Sequence, residues 1–262
     1  MSSAEAHSHL KNCQITNSLQ DIQVLIANEK ESKMAKVKSS SPQKANYKVK
    51  ITTNGPYLVT GRVPLSEQIM RVDADGQCHG WKEGKKYPIQ ESYALCRCGR
   101  SKTKPFCDGS HVKAKFDGTE EAARIPYLEQ AGEIVGPDLK LTDVQNICAS
   151  ARFCHRSGGT WKLTRQSDEP VARQKAIEEA CDCPSGRLVT WDKNGKAIEP
   201  DFKPSIGLIE DEQAGKMGPM WVRGGIPIEA ADGTTYEIRN RVTLCRCGKS
   251  FNKPFCDGRH LK

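Results

Sequence analysis

Aromatic residues are scarce in this 262-residue chain, at 6%, and hydrophobic residues of every kind reach only 37%. Mean hydropathy is −0.62. So thin an apolar content argues against one large core and for small modules held together partly by metal. Long hydrophobic runs are missing as well. No stretch is long enough to span a membrane, and residues 1–33 lack the basic segment and apolar run of a secretory signal. The expected setting is therefore cytoplasmic, with no membrane partner. Nor is there a dense basic run. The net charge of +8 comes from 40 Lys+Arg against 32 Asp+Glu spread along the chain, which reads as a solvated surface and not as a nucleic-acid face.

What the chain does have is cysteine, 12 in all. In a reducing compartment, cysteines at this density point to metal ligation ahead of a disulfide framework. Residues 1–45, which include the basic, Ser-rich stretch Lys36–Lys44, are expected to lie outside the fold. Met34 is a candidate start codon, which makes the residues before it candidates for extraneous sequence.

An internal repeat governs the rest. Gly55–Leu65 (GPYLVTGRVPL) recurs as Gly218–Ile228 (GPMWVRGGIPI), and Leu95–His111 (LCRCGRSKTKPFCDGSH) recurs as Leu244–His260 (LCRCGKSFNKPFCDGRH). Between its two blocks the first copy carries an insertion holding the turn signal Asp73–Gly76. Each copy reads as short β-strands with Gly/Pro turns that feed a metal loop and one short helix. Between the copies, Ile125–Pro204 reads as a separate small domain. Helices are expected near Thr142–Phe153 and Glu169–Ala180, the second capped by Asp168 with Pro170 in its first turn.

The loop spacings carry chemistry. Cys96 and Cys98, like Cys245 and Cys247, sit at i and i+2 on extended chain, so both thiols of a pair point to one side and can meet one metal. Pro105 and Pro254 set a turn before Cys107 and Cys256. Asp108 and Asp257 suit an N-cap, which puts His111 and His260 in a first helical turn close to the preceding cysteine. The competing reading is a zinc-binding structural or interaction module, with nucleic acid as one candidate partner, because a zinc knuckle can use the same four ligands, although zinc pairs are more commonly C-x2–4-C. Thiolates bound to metal are not free nucleophiles, so a thiol oxidoreductase is disfavoured.

These residues resemble the CDGSH iron–sulfur family, whose pattern is C-x-C-x2-[S/T]-x3-P-x-C-D-G-[S/A/T]-H. The first loop matches throughout. The second matches except at Arg259, where the family has a small residue. The resemblance implies two [2Fe–2S] clusters, one held by Cys96, Cys98, Cys107 and His111, the other by Cys245, Cys247, Cys256 and His260. It also makes Ser101, Asp108, Ser250 and Asp257 cofactor-binding positions. Family members are linked with electron transfer and with passing clusters to acceptor proteins, so a carrier is expected and not an enzyme. Exchanging one thiolate for imidazole raises the reduction potential above the roughly −400 mV of all-cysteine plant-type centres, and leaves the cluster acid-labile. Arg259 beside His260 is expected to disfavour imidazolium, so that the second cluster survives to lower pH.

Basic residues crowd both loops: Arg97, Arg100, Lys102 and Lys104 in one, Arg246, Lys249, Lys253 and Arg259 in the other. Compensation of the clusters' negative charge is the plain reading. Steering of an acidic redox or cluster-acceptor partner is the sharper one.

In the middle segment, Cys148-x5-Cys154 and the later Cys183-Pro184-Ser185-Gly186 resemble a divergent single-cluster ferredoxin domain in which Ala151 replaces the central cysteine. The resemblance implies a third cluster, either [3Fe–4S] on Cys148, Cys154 and Cys183, or [4Fe–4S] with Cys181 as fourth ligand. His155 is a further candidate, and a set of buried free cysteines is the alternative. Cys13 and Cys78 fit no motif, and His79 reads as a surface residue.

The expected architecture is α+β. Two β-rich CDGSH modules (46–124 and 205–262) surround a ferredoxin-like domain (125–204), and the two copies are placed to form an intramolecular pseudo-dimer in a monomeric protein.

Overall fold

The Gly-Pro blocks and the alternating residues beside them set the first strands. A computed structural model describes residues 46–74 and 76–262, and the expectations for residues 1–45, Cys13 included, lie outside that range. The first copy of the repeat forms β1 (Lys48–Ile51), β2 (Tyr57–Thr60), β3 (Leu65–Val72), β4 (Cys78–Lys86), β5 (Ser92–Leu95) and the one-turn helix α1 (Ser110–Lys113). The middle segment forms α2 (Tyr127–Gln130), β6 (Gly132–Val135), β7 (Lys140–Asp143), α3 (Thr160–Arg165), α4 (Pro170–Asp182), β8 (Leu188–Trp191) and β9 (Ala197–Ile198). The second copy forms β10 (Ser205–Asp211), β11 (Lys216–Arg223), β12 (Ile228–Glu229) and β13 (Arg241–Leu244).

The two copies do not fold side by side. One sheet runs β12-β1-β2-β5 and another β13-β11-β10-β3-β4, so each copy lends its third strand to the other's sheet. Both exchanged strands pair in parallel, Val49 opposite Ile228 and Ile206 opposite Leu65. Proline explains the entry points. Pro64 and Pro227 have no N–H to offer a ladder, so each stands at a strand's start and presents its carbonyl. Ile206 N donates to Pro64 O at 2.9 Å, and Val49 N donates to Pro227 O at 3.0 Å. The result is a shared core in which Val49, Ile51, Val59 and Leu65 of one copy pack with Ile206, Leu208, Val222 and Ile228 of the other. Tyr57 crosses the same boundary, its hydroxyl donating to the Cys245 carbonyl at 2.8 Å.

The first copy's insertion is the β3–β4 hairpin, which turns through Asp73–Gly76 as the sequence indicates. It widens the second sheet and supplies Met70, Cys78 and Trp81 to a small second core. There the Trp81 ring stands 4.8 Å from both Trp221 and Phe153. Phe153 belongs to the middle segment, so the hairpin is where that segment is seated.

The middle segment has its own sheet, β6-β7-β8-β9, covered by α3 and α4. The helix expected near Glu169–Ala180 is present as α4, with Pro170 at its start. Its N-cap is Glu169 and not Asp168, and no side chain caps it. The helix expected at Thr142–Phe153 is absent. Thr142 lies in the middle of a β-ladder, paired with Glu133 and Val189. Beyond it the chain makes two 3₁₀ turns, Gln145–Ile147 and Phe153–His155. Ser150 and Arg152 between them adopt φ of 56° and 65°, values no right-handed helix accepts. The apolar spacing of this stretch imitates a helix because its side chains fill several different small cores.

The two copies also pack tightly at Gly99 and Gly248. A Cβ on Gly99 meets the Cys247 carbonyl oxygen at 2.6 Å, and one on Gly248 meets the Cys98 carbonyl oxygen at 2.8 Å. Backbone cannot yield there. Gly99→Ala should therefore lower the thermal midpoint clearly more than Gly109→Ala, where φ is also positive but nothing lies within 4 Å. Both variants carry the left-handed penalty of about 1 kcal/mol. Equal midpoints in a thermal melt would show that the contact is not tight.

Candidate metal centres

The two cysteine–histidine loops are built alike, bond for bond. Cys96 N donates to Pro105 O and Cys245 N to Pro254 O, each at 2.8 Å. Cys107 N donates to Ala94 O and Cys256 N to Thr243 O, each at 2.9 Å. The Lys104–Pro105 and Lys253–Pro254 peptide bonds are both cis. Ser101 and Ser250 lie under the turn, their hydroxyls donating to Phe106 O and Phe255 O at 2.7 Å.

Asp108 and Asp257 are expected as helix caps, and the structure gives them a different task. Gly109 and Gly258 occupy the cap position, at φ of 81° and 82°. The left-handed glycine delays the helical turn by one residue, so each carboxylate spans its loop instead. Asp108 accepts from Lys102 N at 2.8 Å and Ser110 N at 3.0 Å; Asp257 accepts from Phe251 N at 2.9 Å and Arg259 N at 3.2 Å. These bonds, led by the one from Lys102 N, hold the Asp108 carboxyl well below the usual carboxylate range. The serines and aspartates thus direct their polar atoms at the loop backbone.

This bracing leaves the ligand candidates in pairs. Cys96 Sγ and Cys98 Sγ are 3.9 Å apart, and Cys107 Sγ is 3.4 Å from His111 Nδ1. In the second loop the values are 3.7 Å for Cys245–Cys247 and 3.5 Å for Cys256–His260. A tetrahedral metal with bonds of about 2.3 Å wants its ligand atoms roughly 3.7 Å apart. Each pair therefore suits one metal. Among the described residues, no group of three or more His, Cys, Asp or Glu side chains closes on a point suited to a single ion. Amide N–H groups also point at the sulfurs, from Arg100 to Cys98 at 3.4 Å, Gly109 to Cys107 at 3.5 Å and Gly258 to Cys256 at 3.4 Å. Such donors favour bound thiolate.

The basic residues of the loops divide into two groups that the sequence does not separate. Arg97 and Arg246 point inward and are 2% and 7% exposed. Arg97 donates to Thr52 O at 3.2 Å and Gly118 O at 2.5 Å; Arg246 donates to Gly218 O at 2.6 Å and Ile209 O at 2.7 Å and pairs with Glu210. They are braces and cannot steer a partner. The others remain outside. A cleft between the loops, with Cys98 and Cys247 in its wall, carries Arg100, Lys115, Lys249, Lys253, Arg259 and Lys262 against one carboxylate, Asp117. Exposed Phe251 adds an apolar surface to the same cleft, with Arg259 stacked 3.3 Å from its ring centre.

In the middle segment Cys148, Cys154 and Cys183 line one small cavity, with Ala151 and Ser185 beside them. Helix α4 positions the set through Glu179, a fully buried carboxylate that accepts from Ser157 N and from the Thr160 hydroxyl, both at 2.7 Å. Arg187, gripped by Asp143 through two bonds of 2.6 and 2.8 Å, stands at the cavity edge next to the Cys148 thiol. Burial, with Cys183 and Cys148 adding to it, pushes the Cys154 thiol up to about 12. Three thiols that line one cavity are the donor type that iron–sulfur clusters take. The donor set fits a metal cluster. Neither proposed fourth ligand joins it. Cys181 lies in the last turn of α4, whereas Cys183 is beyond the helix end with ψ of 108°. Residues two apart on a helix do not share a face, and the Cys181 thiol points to Ile198 O at 3.7 Å. The His155 ring packs on Trp161, 5.2 Å between centres. Cys78 is buried in the second core, its thiol held up first by desolvation. His79 is a surface residue paired with Asp73.

Two family models match the chain. The one described as iron-binding zinc finger CDGSH type matches residues 54–112 and 217–261, and the one described as divergent 4Fe-4S mono-cluster matches residues 134–193. The chain thus carries two CDGSH-type iron–sulfur regions around a divergent mono-cluster region. No curated protein and no solved structure matches it.

The copies differ in what lies beside the histidine: a Cβ on Gly258 meets the Ser150 side chain, and nothing lies within 4 Å of one on Gly109. Burial lowers the His260 imidazole below its ordinary value, and Arg259, turned onto Phe251 and Asp257, is not among the causes. A lowered value keeps the ring neutral, and able to hold metal, to more acid pH. In visible absorbance against pH, the second loop's centre should therefore outlast the first loop's. The order should be unchanged in Arg259→Ala. Reversal in that variant would return the effect to the guanidinium.

Proposed function

We propose that the protein is a one-electron carrier. Each CDGSH loop holds a [2Fe–2S] cluster, and the middle cavity holds a third cluster on the three thiolates of Cys148, Cys154 and Cys183. The observation that carries this reading is the pairing of the ligands. Four donors that fall into two pairs, each spaced for its own metal, suit a two-iron cluster and not a single zinc. The same side chains leave no free nucleophile for thiol chemistry. Three separate donor sets in one compact unit support electron transfer over delivery of a single cluster, and no catalytic role is assigned.

The residues of the chain bind and tune the clusters. The histidines face them through Nδ1, the cysteine sulfurs accept backbone N–H bonds, and each added hydrogen bond favours the more negative, reduced state. The basic cleft between the loops supports an acidic redox protein as the partner, docking by charge in the cytoplasm. No helix among the described residues is long and apolar enough to cross a membrane.

Iron and acid-labile sulfide measured on anaerobically purified protein test this directly. The reading predicts about seven irons per chain, or about eight if the middle centre is a cubane with one corner unligated by cysteine. Cys181→Ser should leave both counts unchanged, and Cys154→Ser should lower them to about four irons. Stoichiometric zinc in a colourless protein would reject the reading, and loss of iron in Cys181→Ser would restore that residue as a ligand.

A further inference from the structure

The two CDGSH loops are alike in their ligands and unlike in what covers them. Nothing lies within 4 Å of a Cβ placed on Gly109. One placed on Gly258 meets the Ser150 side chain, with Ser150 Cβ at 3.2 Å, and the Cys148 carbonyl at 3.4 Å. Gly258 is two residues past Cys256, and Cys148 is a ligand candidate of the middle cavity. The segments that carry the two donor sets are thus neighbours, with room for a glycine and no more between Gly258 and Ser150.

Other bonds fix that contact. Asn252 Nδ2, in the second loop, donates to Asn146 O at 2.9 Å. Arg152 pairs at 2.9 Å with Asp211, 1% exposed at the end of β10. Beneath the loop, Phe153 rests on Trp81 and Trp81 on Trp221. Trp81 lies on β4, in the hairpin that only the first copy possesses. The insertion that breaks the repeat's symmetry is therefore the seat that holds the middle segment against the second loop. The second loop in turn touches the first through Gly99, Gly248 and the Cys98 and Cys247 carbonyls.

We infer that the middle cavity and the second CDGSH loop form a paired redox unit, so that electrons pass in the order middle, second loop, first loop. The inference rests on the reading that all three centres form. In each exchange one centre loses one electron and its neighbour gains it; no proton moves and no bond is made or broken. The loop contacts set the order, because electron exchange falls steeply with separation and, among the described residues, the second loop is the one that abuts both of the others.

Electron paramagnetic resonance of the full-length, chemically reduced protein tests the order. Two variants each keep one CDGSH loop, by Cys→Ser at both cysteines of the other loop's C-x-C pair, with the middle thiols intact. The surviving second-loop signal should relax several-fold faster than the surviving first-loop signal. Adding Cys183→Ser, which removes the middle centre, should slow the second-loop signal and leave the first unchanged. Trp81→Ala touches no ligand and should also slow the second-loop signal. A first-loop signal that relaxes as fast, or a second-loop signal indifferent to Cys183→Ser, overturns the order. Wild-type protein with only about four irons rejects the three-centre reading itself, and this inference with it.

Discussion

Two backbone hydrogen bonds, from Ile206 to the Pro64 carbonyl and from Val49 to the Pro227 carbonyl, open the parallel pairings on which the rest of the fold depends. Neither copy of the repeat has enough apolar surface to close a core alone, as the low hydrophobic content implies. By exchanging β3 and β12 the copies pool what they have into one buried cluster. The exchange also sets the spacing of the metal loops. Each loop hangs from the last strand of its copy, and the shared core brings these together until Gly99 and Gly248 meet the opposite backbone.

From that symmetric frame the function follows by departures. The loops keep the same bracing bonds, so both offer the same paired ligands. The β3–β4 hairpin exists once, and with it comes a seat for the middle segment. One loop is consequently covered and its histidine desolvated, while the other stays open. A repeat that folds as a pseudo-dimer has thereby acquired two unlike ends, one turned to a neighbouring cluster site and one to solvent.

The ligand loops were legible because a metal fixes its donors' spacing locally, and C-x-C, a proline and CDG-x-H survive in the sequence as that spacing. The strands and the insertion's turn were legible for the same local reason. Strand exchange was not, because Val-Pro-Leu and Ile-Pro-Ile announce strands without naming their neighbours. Arg97 and Arg246 look like any other loop cations, and only burial reveals them as braces. Cys181 and Cys183 look equivalent two residues apart, until the end of α4 falls between them. Arg259 stands next to His260 in sequence, yet its side chain leaves for Phe251. In each of these cases the missing information is direction in space, which adjacency along the chain does not carry.

The central claim is that each loop holds two metals, with a cysteine pair on one and a cysteine–histidine pair on the other. Iron K-edge X-ray absorption on protein lacking the middle thiols, with Cys148, Cys154 and Cys183 changed to serine, addresses it without interference from the third site. The account predicts a short iron–iron vector at every absorber, with sulfur ligation on average heavier than nitrogen. An isolated metal surrounded by three sulfurs and one nitrogen, with no metal neighbour, would contradict it.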